Sequence, residues 1–118
     1  MLRIKEFARK CGCSVYTLRY YDETGILKPM YVDNDSGYRF YDDSQVIDYE
    51  EIKEFQEIGF SIQDIKYLEN MSNDEIVKLI FTKIADFKEL LDKAYVLQEK
   101  YIEGKIKNGR IKESIKGD

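Results

Sequence analysis

The chain has no histidine, and its 118 residues include only two cysteines, Cys11 and Cys13, and a single proline, Pro29. Without imidazole, and with two thiols one residue apart, one copy cannot assemble the four thiolate and imidazole ligands of a closed zinc site. The C-x-C spacing is also too short for a usual zinc knuckle. The role expected of the pair is packing, as two small side chains under a helix turn. No nucleophile sits beside a base and no glycine-rich phosphate loop is present, so no catalytic residue, metal or cofactor is expected. No apolar run approaches the roughly 20 residues of a membrane span, and the N-terminus lacks the apolar stretch of a secretory signal. A cytoplasmic chain with no membrane partner is expected.

Positive charge is also in short supply: 19 Lys and Arg stand against 23 Asp and Glu, a net of -4. An acidic chain does not approach a polyanion readily. The charge is uneven, however. Residues 1–41 carry seven basic and five acidic residues, net +2, and the remainder is net -6. A slightly basic head on an acidic body could still steer toward nucleic acid. The 43% hydrophobic content suits one domain with a modest core, or one small domain plus an accessory helix.

The most informative run is Thr17-Leu18-Arg19-Tyr20-Tyr21-Asp22, followed by Gly25-Ile26-Leu27-Lys28-Pro29. It sets a guanidinium and phenols beside a tight turn. Arg forks two hydrogen bonds to a phosphate, and Tyr can lay its ring on sugar while its hydroxyl reaches a phosphate oxygen. Upstream, Ile4, Phe7, Ala8 and Cys11 recur at helical spacing until Gly12 breaks the pattern, and Ser14 is a good N-cap. The second helix is expected from about Val15 to Tyr21, with Val15 and Leu18 inward and Tyr16, Thr17, Arg19 and Tyr20 outward. The pattern is helix, short turn, helix, and a helix-turn-helix would give the outward row a job against nucleic acid.

Beyond Pro29, Tyr31-Val32 and Tyr38-Arg39-Phe40-Tyr41 flank the turn cluster Asp33 to Gly37, which predicts a β-hairpin serving as a wing. Tyr21, Phe40 and Tyr41 are expected to pack, and Asp22 to play a structural part, holding Arg19 or the backbone. Asp42-Asp43-Ser44-Gln45 fits a capping box before a helix that Gly59 stops. Ser61 opens another helix, with Ile62, Ile65 and Leu68 on one face, and Ser72-Asn73-Asp74-Glu75 opens a third.

From Val77 the apolar residues step by three and four through Ile80, Ile84, Phe87, Leu91, Ala94, Gln98 and Tyr101, a heptad seam. Leu90 and Leu97 broaden it. The seam suits a homodimer, with Gln98 fixing register, although packing onto its own chain is the alternative. Residues 105–118 are mostly polar and read as a frayed or disordered end. The expected organisation is a DNA-binding domain over 1–71, a dimerisation helix over 72–106, and a flexible tail or start of a linker over 107–118.

In this order and spacing, I-K-E-F-A at residues 4–8, S-V-Y-T-L-R-Y-Y-D at 14–22, G-I-L-K-P at 25–29, G-Y-R-F-Y at 37–41 and I-G-F-S-I-Q-D-I-K at 58–66 closely resemble the DNA-binding part of the MerR family of bacterial transcription regulators, across roughly residues 2–103. The resemblance implies a mainly α fold: a winged helix-turn-helix, a second helical pair forming another wing, and a long C-terminal helix pairing antiparallel with a second subunit. It implies a dimer on a pseudo-palindromic operator that distorts promoter DNA and so acts on RNA polymerase indirectly. Carried over by position, Arg19, Tyr20, Tyr38 and Arg39 hold phosphate, Lys66 is a further phosphate contact, and Ser14, Val15, Tyr16 and Thr17 lie within reach of base edges. Tyr16 departs from the basic residue common there and cannot make a bidentate guanine contact. The effector-sensing region that follows the dimer helix in the family is not expected within this chain, which is either the DNA-binding portion of a longer regulator, its polar ending reading as the approach to a linker, or a naturally short member. Two other readings are an architectural, excisionase-like DNA-bending protein and a helical interaction module that ignores DNA.

Overall fold

The computed structural model describes residues 1–104. In chain order the elements are β1 (Leu2–Arg3), α1 (Ile4–Cys11), α2 (Val15–Thr24), β2 (Tyr31–Val32), β3 (Arg39–Tyr41), α3 (Gln45–Glu57), α4 (Ile62–Leu68) and α5 (Asn73–Ile102). They divide into two compact units, residues 1–72 and a second that begins at Asn73. The polar segment 105–118, expected to fray, lies outside the described residues.

The turn between α1 and α2 follows from Gly12, whose φ of 74° is open to glycine at no steric cost. Its N–H donates to the Ala8 and Arg9 carbonyls, and the Cys13 N–H donates to Ala8 as well, closing α1. Ser14 then caps α2, its hydroxyl oxygen accepting the Thr17 N–H at 3.1 Å. The helix continues to Thr24, three residues past the expected Tyr21. The stop is Gly25, at φ 84°, whose N–H donates to the Tyr21 and Asp22 carbonyls. Nothing before that glycine breaks the helix.

The expected hairpin is present, but it belongs to a three-stranded antiparallel sheet of order β1-β3-β2. β1 pairs Leu2 with Tyr41 and Arg3 with Phe40, and β2 pairs Tyr31 with Phe40 and Val32 with Arg39. The hairpin thus gains a neighbour that was not expected: Leu2 and Arg3 supply a third strand too short to have a visible period. Asp33 organises the hairpin turn, its carboxylate accepting the Ser36 N–H and hydroxyl at 3.0 and 2.6 Å. Those bonds hold its carboxyl below the ordinary range.

α3 starts at Gln45, and only half of the expected capping box forms. The Asp42 N–H donates to Gln45 Oε1 at 2.9 Å, whereas the Asp42 carboxylate accepts the Ser44 N–H instead of that of Gln45. Gln45 is buried, and its Nε2 donates to the Lys28 carbonyl at 2.7 Å. One amide thus ties the loop after α2 to the start of α3. Gly59, at φ 98°, ends α3, and Ser61 and Asp64 form a complete capping box on α4.

The core of the first unit gathers Phe7, Leu18 and Tyr41, fully buried, with Tyr21, Tyr49, Ile52, Phe60 and Ile65 around them. Phe7 and Tyr41 stack with ring centroids 4.4 Å apart. Tyr21 and Tyr41 pack as expected, Phe40 is half-buried, and Cys11 and Cys13 lie against the cluster. The Tyr21 hydroxyl donates to Gln56 Oε1 at 2.6 Å, joining α2 to α3. In the second unit α5 runs for 30 residues without a buried one.

Candidate nucleic-acid interface

α2 presents the row that the sequence assigned to it. Leu18 and Tyr21 point into the core, which leaves Tyr16, Arg19 and Tyr20 exposed, Tyr16 at 79%. Arg19 makes no ion pair among the described residues. Ser14 and Thr17 have a local task, since their hydroxyls lie 3.0 Å apart at the cap. Val15 packs against the core.

The wing side of the site is built around Asp22. Its carboxylate, 16% exposed, accepts from Arg39 Nε at 2.8 Å and lies 3.9 Å from Lys28 Nζ. Asp22 was expected to act structurally on Arg19 or the backbone; it holds Arg39 on β3 instead. The physical reason is orientation, because Arg19 lies on the outward face of α2 and Asp22 on the face toward the sheet. One carboxylate answering two cations leaves net positive charge, and Arg39 keeps guanidinium N–H groups beyond the one committed. Lys66, on the last turn of α4, brings its Nζ to 3.5 Å from where a Cβ on Gly25 would stand, with Lys28 Cε 3.9 Å from the same point. Lys28, Arg39 and Lys66 therefore converge around the C-terminal end of α2.

On the other side of the wing, Tyr38 is exposed and the Arg3 guanidinium carbon lies 3.8 Å from the centre of its ring. Sequence reasoning singled out neither Arg3 nor Lys28. Lys28 stood in plain view inside G-I-L-K-P, but Arg3 gained a neighbour only through the pairing of β1 with β3.

Titratable groups in the core are held neutral. Burial pushes the Cys11 thiol up to about 12, with the neighbouring Cys13 adding to it, and burial also raises Cys13. Burial likewise pushes the Tyr41 and Tyr49 phenols up to about 12, assisted at Tyr41 by the Asp22 carboxylate and at Tyr49 by Cys13. A thiol held protonated in this way is a weak nucleophile. Among the described residues no group of three or more His, Cys, Asp and Glu could hold a metal ion, and no helix is long and apolar enough to cross a membrane.

Residues 2–79 match the family model described as MerR HTH family regulatory protein. The chain belongs to that family. It carries the DNA-binding region of a MerR-type transcriptional regulator, in a family of regulators and not of enzymes. Among curated relatives, it is 32% identical over 96 residues to the multidrug-efflux transporter 1 regulator of Bacillus subtilis, an alignment covering 81% of this chain and 34% of the relative. The MerR-family chain thus spans about a third of that relative's length. Among solved structures it is similar to the N-terminus of the Bacillus subtilis multidrug transporter activator, MtaN, at a TM-score of 0.65 and 29% identity, covering 88% of this chain and 93% of that one. It is also similar to HiNmlR, a MerR family regulator lacking the sensor domain, bound to promoter DNA, at a TM-score of 0.57 and 25% identity, covering 90% and 94%.

In the seam assigned to dimerisation, Ile84, Phe87 and Leu91 are exposed, as are Ala94 and Gln98, while Ile80 and Tyr101 are half-buried. Leu90 and Leu97 beside the seam are exposed too.

Proposed function

We propose that two copies of this MerR-family chain pair through α5 and hold a pseudo-palindromic promoter operator, distorting the DNA so that RNA polymerase engages the promoter differently. The observation that carries the reading is the Asp22–Arg39 ion pair, which ties the recognition helix to the wing so that both present cations together. Arg19, Tyr20, Tyr38, Arg39 and Lys66 are assigned to the backbone, where charge and phenolic hydroxyls suit phosphate. Tyr16, with Ser14, Val15 and Thr17 around it, is assigned to the groove. Its phenol can pack on a thymine methyl or hydrogen-bond a base, which gives an operator preference unlike that of a guanine-reading arginine.

Dimerisation rests on α5. An isolated helix in water gains little from its own hydrogen bonds, and a row of exposed Ile, Phe and Leu side chains at heptad spacing calls for a second helix. Sequence discrimination then comes partly from DNA deformability and partly from base edges. HiNmlR, which lacks the sensor domain and is bound to promoter DNA, supports a role on promoter DNA for a chain of this extent.

The test is fluorescence anisotropy of the purified protein against the promoter of its own gene and a shuffled duplex across a salt series. Tight, salt-sensitive preference for the promoter is the expected result. Equal binding to both duplexes would remove the operator from the proposal, and salt-insensitive binding would remove DNA.

A further inference from the structure

We propose that Arg3, lying on the ring of Tyr38, is a further backbone-phosphate ligand, so that the wing grips DNA through its first strand as well as through its hairpin. The proposal rests on the DNA-binding reading above and adds to it a residue that neither the hairpin nor the recognition helix contains.

The register of the sheet sets the geometry. Arg3 stands opposite Phe40, and Tyr38 lies two residues before Phe40, so Arg3, Phe40 and Tyr38 share one face. Arg39, Tyr41 and Leu2 belong to the other, where Asp22 and the core lie. Arg3 is therefore not a substitute for Arg39; the two guanidinium groups sit on opposite faces of one small sheet. Arg3 is exposed and makes no hydrogen bond or ion pair through its side chain among the described residues. Its one close partner is the phenol ring, 3.8 Å from the guanidinium carbon.

An aromatic face attracts a guanidinium without neutralising it. A carboxylate partner would have used the fork of N–H groups and cancelled the charge, whereas the ring leaves all five donors available. The ring also restricts a long side chain in advance, so less rotamer freedom is lost when an anion binds. A planar, positioned, un-neutralised guanidinium beside a phenolic hydroxyl fits a tetrahedral phosphodiester oxygen pair. The surrounding residues 1–41 carry net positive charge, which favours a polyanion over a basic partner.

The experiment compares wild type, Arg3→Gln, Arg3→Lys, Tyr38→Leu and the Arg3→Gln/Tyr38→Leu double variant by anisotropy on promoter and shuffled duplexes over a salt series, with thermal melts alongside. Arg3→Gln is expected to weaken both duplexes alike and to make the log–log salt slope shallower by about one per protomer. Arg3→Lys should keep the slope and lose part of the affinity, because an ammonium cannot lie flat on the ring. The double variant should bind no more weakly than the product of the single losses, and by less than that product if ring and cation act as one unit. An unchanged slope and affinity in Arg3→Gln, while Arg19→Ala flattens the slope, would overturn the role of Arg3 and leave the DNA reading standing. No salt-sensitive binding by wild type would overturn both. Should Arg3→Gln lower the melting temperature, both variants are compared at a temperature where they remain folded: a wild-type slope in Arg3→Lys with a shallower one in Arg3→Gln supports the phosphate contact, and a wild-type slope in both overturns it.

Discussion

At the scale of single residues, Arg19 and Arg39 look interchangeable in sequence, yet their surroundings differ. Arg19 is unpaired among the described residues, and Arg39 is bonded to Asp22. Arg19→Ala is expected to flatten the salt dependence of DNA binding by about one unit per protomer. Arg39→Ala should weaken binding similarly on specific and random duplexes while flattening the slope less, because its charge is partly answered within the protein. A loss confined to one sequence would contradict both phosphate roles. Tyr41 offers a second residue-level prediction. Its hydroxyl is buried without a hydrogen-bond partner among the described residues, so Tyr41→Phe should leave stability unchanged or raise it by up to about 1 kcal/mol, read as denaturation midpoint. A clear fall would show that the hydroxyl is paired after all.

The raised values at Cys11, Tyr41 and Tyr49 fix a direction for pH dependence. Each group binds its proton more tightly folded than unfolded, so their contribution is complete below the unfolded values of 9.0 for the thiol and 10.0 for the phenols. It is lost as pH rises toward about 12, where the folded groups ionise. Stability measured by denaturant titration should therefore decline progressively between these limits. A melting profile flat across that alkaline range would remove the burial argument.

At the scale of elements, what could be read in the sequence was what is local. Gly12, Ser14, Gly59 and Ser61 are short-range devices, and each marks an observed helix end, whereas Gly25, just as local, was read only as part of a turn and α2 was expected to stop at Tyr21. Ser61→Ala should consequently cost about 1 kcal/mol in global stability; no measurable loss would mean that packing of Ile65 and Leu68 alone holds α4. What could not be read was what pairs at a distance. β1 is two residues long, too short for an alternation to declare itself. Asp22 and Arg39 are 17 residues apart, and nothing in either neighbourhood names the other. Gln45 looked like half of a local cap, and its other half proved to be a bond to the Lys28 carbonyl. The candidate site was legible as a set of cations and phenols, but not as the network that orients them.

At the scale of the whole molecule, the proposal turns on α5. Leu91→Glu would place a carboxylate in the seam, where burial against a second helix is costly, and it is expected to yield a monomer by light scattering. A dimer that survived the change would place the partner surface elsewhere. DNA binding should fall with dimerisation, since two half-sites are then no longer held by one particle.

A helix of 30 residues with no buried side chain also bears on dosage. If α5 gains its order from a second copy, occupancy of the operator at low protein levels rises as the square of the chain's concentration. A twofold change in synthesis would then become about a fourfold change in bound promoter, making the chain's own abundance an input to the response.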